Sequence, residues 1–88
     1  MHHILFYEYV PDILERRGPH REAHLERIRA ERERGAVVMA GALGDPPHGA
    51  AIVFGDAGTE AIEAFAAHDP YVTAGLVSAW RIEPWSVV

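Results

Sequence analysis

His24 and Asp69 lie far apart in this 88-residue chain, and together they have the makings of a proton-transfer pair. An imidazole gains and loses its proton near neutral pH, so it can act as general acid or base. A carboxylate accepting a hydrogen bond from one ring nitrogen fixes the tautomer and supports the charged form. The other nitrogen is then free to move a proton. Asp69 needs such a partner or some other reason for its position. It sits in "FAAHDPYV", residues 65–72, at the end of the helical run "TEAIEAFAAH". A carboxylate there faces the negative end of the helix dipole. Two reasons stand open. Asp69 can cap a second short helix that starts at Pro70. Or its carboxylate meets His24, either as a proton-transfer dyad or as a buried pair that ties two helices together.

Other side chains stand near the same chemistry. Arg21 lies one turn before His24 and suits bidentate binding of an anionic group, although a surface salt bridge is the ordinary role in such a helix. Tyr7 and Tyr9 share one face of an N-terminal strand, where they line a pocket or simply pack the core. Gly41 admits a ligand to the backbone or lets its strand bend. Arg21, Tyr7, Gly41 and Tyr71 form the expected substrate-contacting set. His20 and His24 are at i and i+4, a spacing that can grip a metal with Asp69 as third ligand. Two histidines in an Arg/Glu-rich helix are more simply polar surface residues, and neither metal nor cofactor is expected. Absent residue types narrow the field. There is no cysteine, lysine, asparagine or glutamine. Thiolate, redox and Schiff-base chemistry are excluded, so His, Asp, Glu, Arg and Tyr carry any catalysis.

The elements that would position these residues are legible from pattern. "HHILFYEYV" reads as a strand ending at Pro11. A helical pattern runs from Pro19 to Gly35, with Arg21, His24, Leu25 and Ile28 on one face. "AVVMAGAL" and "AAIVFG" are strands joined by the turn "GDPPHG". Thr59 caps a helix with Ile62, Phe65 and Ala66 inward, and Asp69 continues that face. "LVSAWRIEPW" is the last strand. The order β-α-β-β-α-β is the ferredoxin-like, α+β arrangement, an antiparallel sheet with both helices on one face. The second and third strands are apolar on both faces, which predicts that a second copy covers the open face in a homodimer.

Composition bounds the partners. The length predicts one domain, residues 1–88, with a modest core. A net charge of −5 argues against nucleic acid and anionic membrane. Seven of the eight basic residues lie between Arg16 and Arg34, but interleaved glutamates mark a solvated helix face with pairs such as Glu26–Arg29 and Arg29–Glu33. With no signal peptide, no apolar run long enough to span a bilayer and no cysteine, a cytoplasmic location is expected.

Four motifs together carry a family resemblance. Arg21-x-x-His24-Leu25 is followed by Gly35-x-Val37-x-x-Ala40-Gly41-x-Leu43, a strand opened by Gly49-Ala50, and Asp69-Pro70-Tyr71-Val72-x-x-Gly75-Leu76. Across essentially the whole chain this resembles the YciI-like, or YCII-related, proteins. The resemblance implies a ferredoxin-like fold, dimers of the α+β-barrel type and a site centred on a His/Asp pair, here His24 and Asp69. At least one member of that family is a dehydrochlorinase acting on a chlorinated hydroxyquinol. This chain departs in its short "GDPPH" connection. The expectation is a small homodimeric enzyme doing lyase or dehydrohalogenase-like acid–base chemistry on a small molecule. The alternatives are a non-catalytic ligand-binding or accessory module using the same pocket, and a metal- or haem-binding barrel with His24 as ligand.

Overall fold

β-branched and aromatic residues place His2–Tyr9 in a strand, β1, near the middle of a four-stranded sheet. The computed structural model describes residues 1–88. After β1 come a one-turn helix α1 (Ile13–Arg16) and the long helix α2 (Gly18–Glu33). Strands β2 (Val37–Leu43) and β3 (Gly49–Phe54) follow, then α3 (Thr59–His68), the one-turn α4 (Pro70–Thr73) and β4 (Val77–Trp85). The sheet order is β2-β3-β1-β4, with every neighbouring pair antiparallel. This is the ferredoxin-like topology, with two short helices added at α1 and α4.

Helix α2 begins at Gly18, one residue earlier than expected, and Pro19 falls in its first turn, where a missing N–H costs nothing. It stops at Gly35, whose φ of 85° only glycine adopts cheaply. Ala36 N–H donates to the Glu31 carbonyl at 2.9 Å and Gly35 N–H to the Arg32 carbonyl at 3.0 Å, which closes the helix as a Schellman motif. Two local expectations fail. The N-cap of α3 is Gly58, with no side-chain cap bond, and Thr59 is already helical. The Glu26–Arg29 and Arg29–Glu33 pairs do not form. Arg29 instead reaches Glu22 at 3.1 Å and Arg34 reaches Glu31 at 2.9 Å. Exposed pairs of this kind are worth about 0–1 kcal/mol, so small packing differences decide among them.

Register sets the two faces of the sheet. Leu5 pairs with Ile52 and Tyr7 with Ala50, and these side chains meet the helices. Ile62, Phe65 and Ala66 of α3 close the core over them, with Phe54 and Phe65 edge to face at 5.5 Å. Arg27 of α2 donates to the Phe65 carbonyl at 2.8 Å and lies over the Phe65 ring, which fixes α2 against α3. The opposite parity, Ile4, Phe6, Met39 and Val53, makes the outer face, on which no helix packs; Val53 is buried among its neighbours there, Arg81 lies over the Phe6 ring, and Met39 is exposed. An irregularity between Val37 and Met39 takes Val38 out of this alternation. Gly49 is needed where it stands, because a Cβ there would collide with the Tyr7 backbone carbonyl.

Candidate active site

Asp69 ends α3 and starts α4, with extended backbone angles (φ −67°, ψ 129°) between the two helices. The side chain is fully buried. A buried carboxylate is costly unless donors surround it, and three do. Tyr71 N–H donates to Oδ1 at 2.9 Å, the Tyr7 hydroxyl donates to Oδ2 at 2.8 Å, and His24 Nδ1 donates between the two, 2.9 Å from Oδ1 and 3.0 Å from Oδ2. Asp69 is therefore both the cap of α4 and the partner of His24. The cap places one carboxylate oxygen, and α2 packed beside α4 brings the imidazole to it.

His24 is the one buried side chain of α2. A carboxylate offers only acceptors, so the bond to Asp69 puts the ring proton on Nδ1. Nε2 makes no hydrogen bond within the chain and is not sealed from solvent. The Tyr71 ring stacks on the imidazole at 3.8 Å, tilted by 7°, and Tyr9 meets Tyr71 edge-on at 5.9 Å. Ile13 and Leu76 pack around Tyr71 as a small satellite core, which holds that stack in place. Burial, then the Asp69 charge beside it, pushes the Tyr7 phenol far above its ordinary range. Burial pushes Tyr9 up to about 12, with Tyr71 and Asp69 adding to the rise and Arg17 and Arg21 opposing it. Tyr71 is raised by burial as well, against the same two guanidiniums.

His24, with Nε2 unpartnered, lines a cavity of about 310 Å³ between α2 and β2. Arg17, Arg21 and Tyr9 line one part of it, and Arg32, Ala40 and Gly41 another. A larger cavity of about 670 Å³ lies between the C-terminal part of α2 and α3, by Arg34, Asp56 and His68. Neither His24 nor Asp69 reaches it, so size is a poor guide to the chemistry here.

Of the expected set, Arg21, His24, Gly41 and Tyr71 line the smaller cavity. Tyr7 does not. It is buried behind Asp69, and its hydroxyl is spent on the carboxylate. His20 does not join the pair, and no three His, Asp or Glu side chains converge as a metal would need. Tyr9, which shares the Tyr7 face of β1, lines the cavity, whereas sequence reasoning missed Arg17 and Arg32. Spacing held a signal, since 17, 21, 25, 28 and 32 form one helical stripe.

No curated protein matches the chain. Among solved structures, it resembles the 5-chloro-2-hydroxyhydroquinone dehydrochlorinase of Burkholderia phenoliruptrix AC1100, in complex with 2,5-dihydroxybenzoquinone. The TM-score is 0.81 at 20% sequence identity, over 98% of this chain and 94% of that one. At that identity the likeness establishes the shared fold. The model of the YCII-related domain matches residues 1–86, and the chain therefore belongs to the YCII-related family.

Proposed function

We propose that this chain is an acid–base enzyme of the elimination type, acting on a small molecule in the 310 Å³ cavity. One observation carries the reading. His24 is held at Nδ1 by a buried carboxylate, while Nε2 has no partner and the residue lines a cavity. A structural pair has no need of an open nitrogen. In an elimination, Nε2 takes a proton from the substrate. The electron pair left behind forms the new π bond, and the leaving group departs with its bonding pair. The imidazolium then returns its proton to water. Asp69 balances that transient charge and holds the tautomer that leaves Nε2 bare. Tyr7 is a positioning residue that acts through Asp69. Arg21, Gly41 and Tyr71 contact the substrate.

The dehydrochlorinase neighbour suggests the first substrate to try. Chloride release from 5-chloro-2-hydroxyhydroquinone by the native chain and by His24→Gln tests the reading. The expected loss in kcat is about 10²–10⁴-fold, the usual contribution of a general acid or base. Binding of that compound with no chloride release would leave a ligand-binding module instead.

A homodimer belongs to the same proposal. Ile4, Phe6 and Met39 leave the outer face of the sheet partly apolar, and Met39 is 59% exposed. A second copy of the same face is self-complementary and would bury it.

A further inference from the structure

We propose that the His24 cavity takes a small, single-ring anion, whose charge is held by Arg17 and Arg21. The inference rests on the acid–base reading of the site and adds the substrate class to it.

The eight arginines divide by partner, and Arg29 is the one ion-paired arginine that also lines the cavity. Arg16 pairs with Asp12 at 3.5 Å, Arg29 with Glu22 at 3.1 Å, Arg34 with Glu31 at 2.9 Å and Arg81 with Glu83 at 3.2 Å. Arg27 is spent on the Phe65 carbonyl. Arg17, Arg21 and Arg32 have neither a carboxylate nor a carbonyl partner, and all three line the cavity beside His24. Scarcity of acids does not explain this, because the chain has 13 acidic residues against 8 basic ones. No Asp or Glu lines the cavity. In a chain of net charge −5, that leaves one locally cationic hollow.

The start of α2 adds a second mark. Arg17 occupies the N-cap, His20 and Arg21 follow in the first turn, and no acidic residue is there. Cations at that end oppose the helix dipole, so a bound anion would relieve both. Two cavity-lining side chains carry accessible, unpartnered polar atoms. His24 and Tyr71 are 4% and 2% exposed, and neither His24 Nε2 nor the Tyr71 hydroxyl has a partner within the chain. A planar guanidinium grips carboxylate or enolate oxygens in pairs. It also stabilises negative charge that grows as a proton leaves for Nε2. The volume is at the lower end of ligand pockets, about 300–1,000 Å³, which fits one ring rather than a nucleotide.

The test is binding, with no turnover required. The full chain is titrated with 2,5-dihydroxybenzoate and with its neutral amide, 2,5-dihydroxybenzamide, following the His24 ring proton resonances by NMR. The carboxylate should shift those resonances and bind about tenfold or more tighter than the amide, the worth of one good charge-assisted contact. Added salt should weaken it. Arg17→Gln and Arg21→Gln should each cost a comparable factor, and Arg34→Gln, in the larger cavity, none. Equal affinity for acid and amide overturns the proposal. So does unchanged affinity in the Arg17 and Arg21 variants, or no His24 shift with either compound at millimolar concentration. Anion binding without catalysis on any substrate would sink the enzyme reading and leave this inference intact. Turnover of neutral substrates, indifferent to the arginines, would do the reverse.

Discussion

The His24 imidazole lies face to face with the Tyr71 ring, 3.8 Å away, while Asp69 holds the imidazole edge at Nδ1. Stack and hydrogen bond constrain different motions. The stack sets the plane of the ring, and the carboxylate sets its rotation within that plane. Tyr71 and Asp69 are two residues apart, and the Tyr71 N–H is itself capped by Asp69. One turn of chain thus supplies both constraints.

Asp69→Asn separates charge from shape. An amide oxygen can still accept from Tyr71 N–H, so the cap survives. Its NH₂ takes the place of Oδ2, 3.0 Å from His24 Nδ1, where it competes with the amide oxygen for that nitrogen and favours the tautomer with the proton on Nε2. Nitrogen chemical shifts of the ring should show Nδ1–H in the native chain and Nε2–H in the variant. Turnover should fall by about 10²–10⁴-fold with the fold retained. Identical ring nitrogen shifts in the two proteins would mean that the pair is not coupled. Asp69→Ala should be worse for stability, since each donor left unpaired costs about 1–3 kcal/mol.

All three tyrosines are raised above their ordinary 10.0, Tyr9 to about 12 and Tyr7 further still. Below pH 10 both folded and unfolded chains keep the phenolic protons, and the stabilisation is fully present. Above it the unfolded chain releases protons that the folded one retains. Stability then falls as pH rises, by about 1.4 kcal/mol per unit for each such group. Phenolate absorbance should therefore lag behind free tyrosine and rise together with alkaline unfolding. Tyr7→Phe should weaken that pH dependence. Three phenols titrating near 10 in a folded chain would contradict the burial described here.

Gly49→Ala should destabilise the chain by about 1–3 kcal/mol or more, because the new methyl group meets backbone at Tyr7, not a side chain that can swing away. Since Tyr7 holds Asp69, the same variant should disturb the His24 ring resonances. Denaturant unfolding together with NMR measures both. A Gly49→Ala protein of native stability would mean that β1 and β3 separate more freely than their register implies.

Sedimentation at micromolar concentration should give twice the chain mass, with the apolar outer faces together. Met39→Glu should shift the chain to monomer without unfolding it, because Met39 is exposed within one chain. A native protein that stays monomeric at high concentration would remove the self-association argument.

Much of this fold is written in short-range patterns. The β-branched and aromatic content of "HHILFYEYV" and the helical spacing from Pro19 to Gly35 depend on neighbours within one turn or one pleat, and both elements form as those patterns predict. Local chemistry likewise marked Asp69 as a cap of α4, and the residue motifs marked the family. The partnerships of the site are not local. Whether Asp69 meets His24, and whether Tyr7 faces the cavity or stands behind the carboxylate, depends on sheet register and on how α2 lies beside α4. An exposed arginine on a glutamate-rich helix looks the same in sequence whether it is paired or free. Arg17 and Arg32 read as solvated surface for that reason, while Arg29, on the same helix, found Glu22 two turns away. Surface pairs differ by so little energy that only the packed positions of the helices decide which guanidiniums are left facing the imidazole.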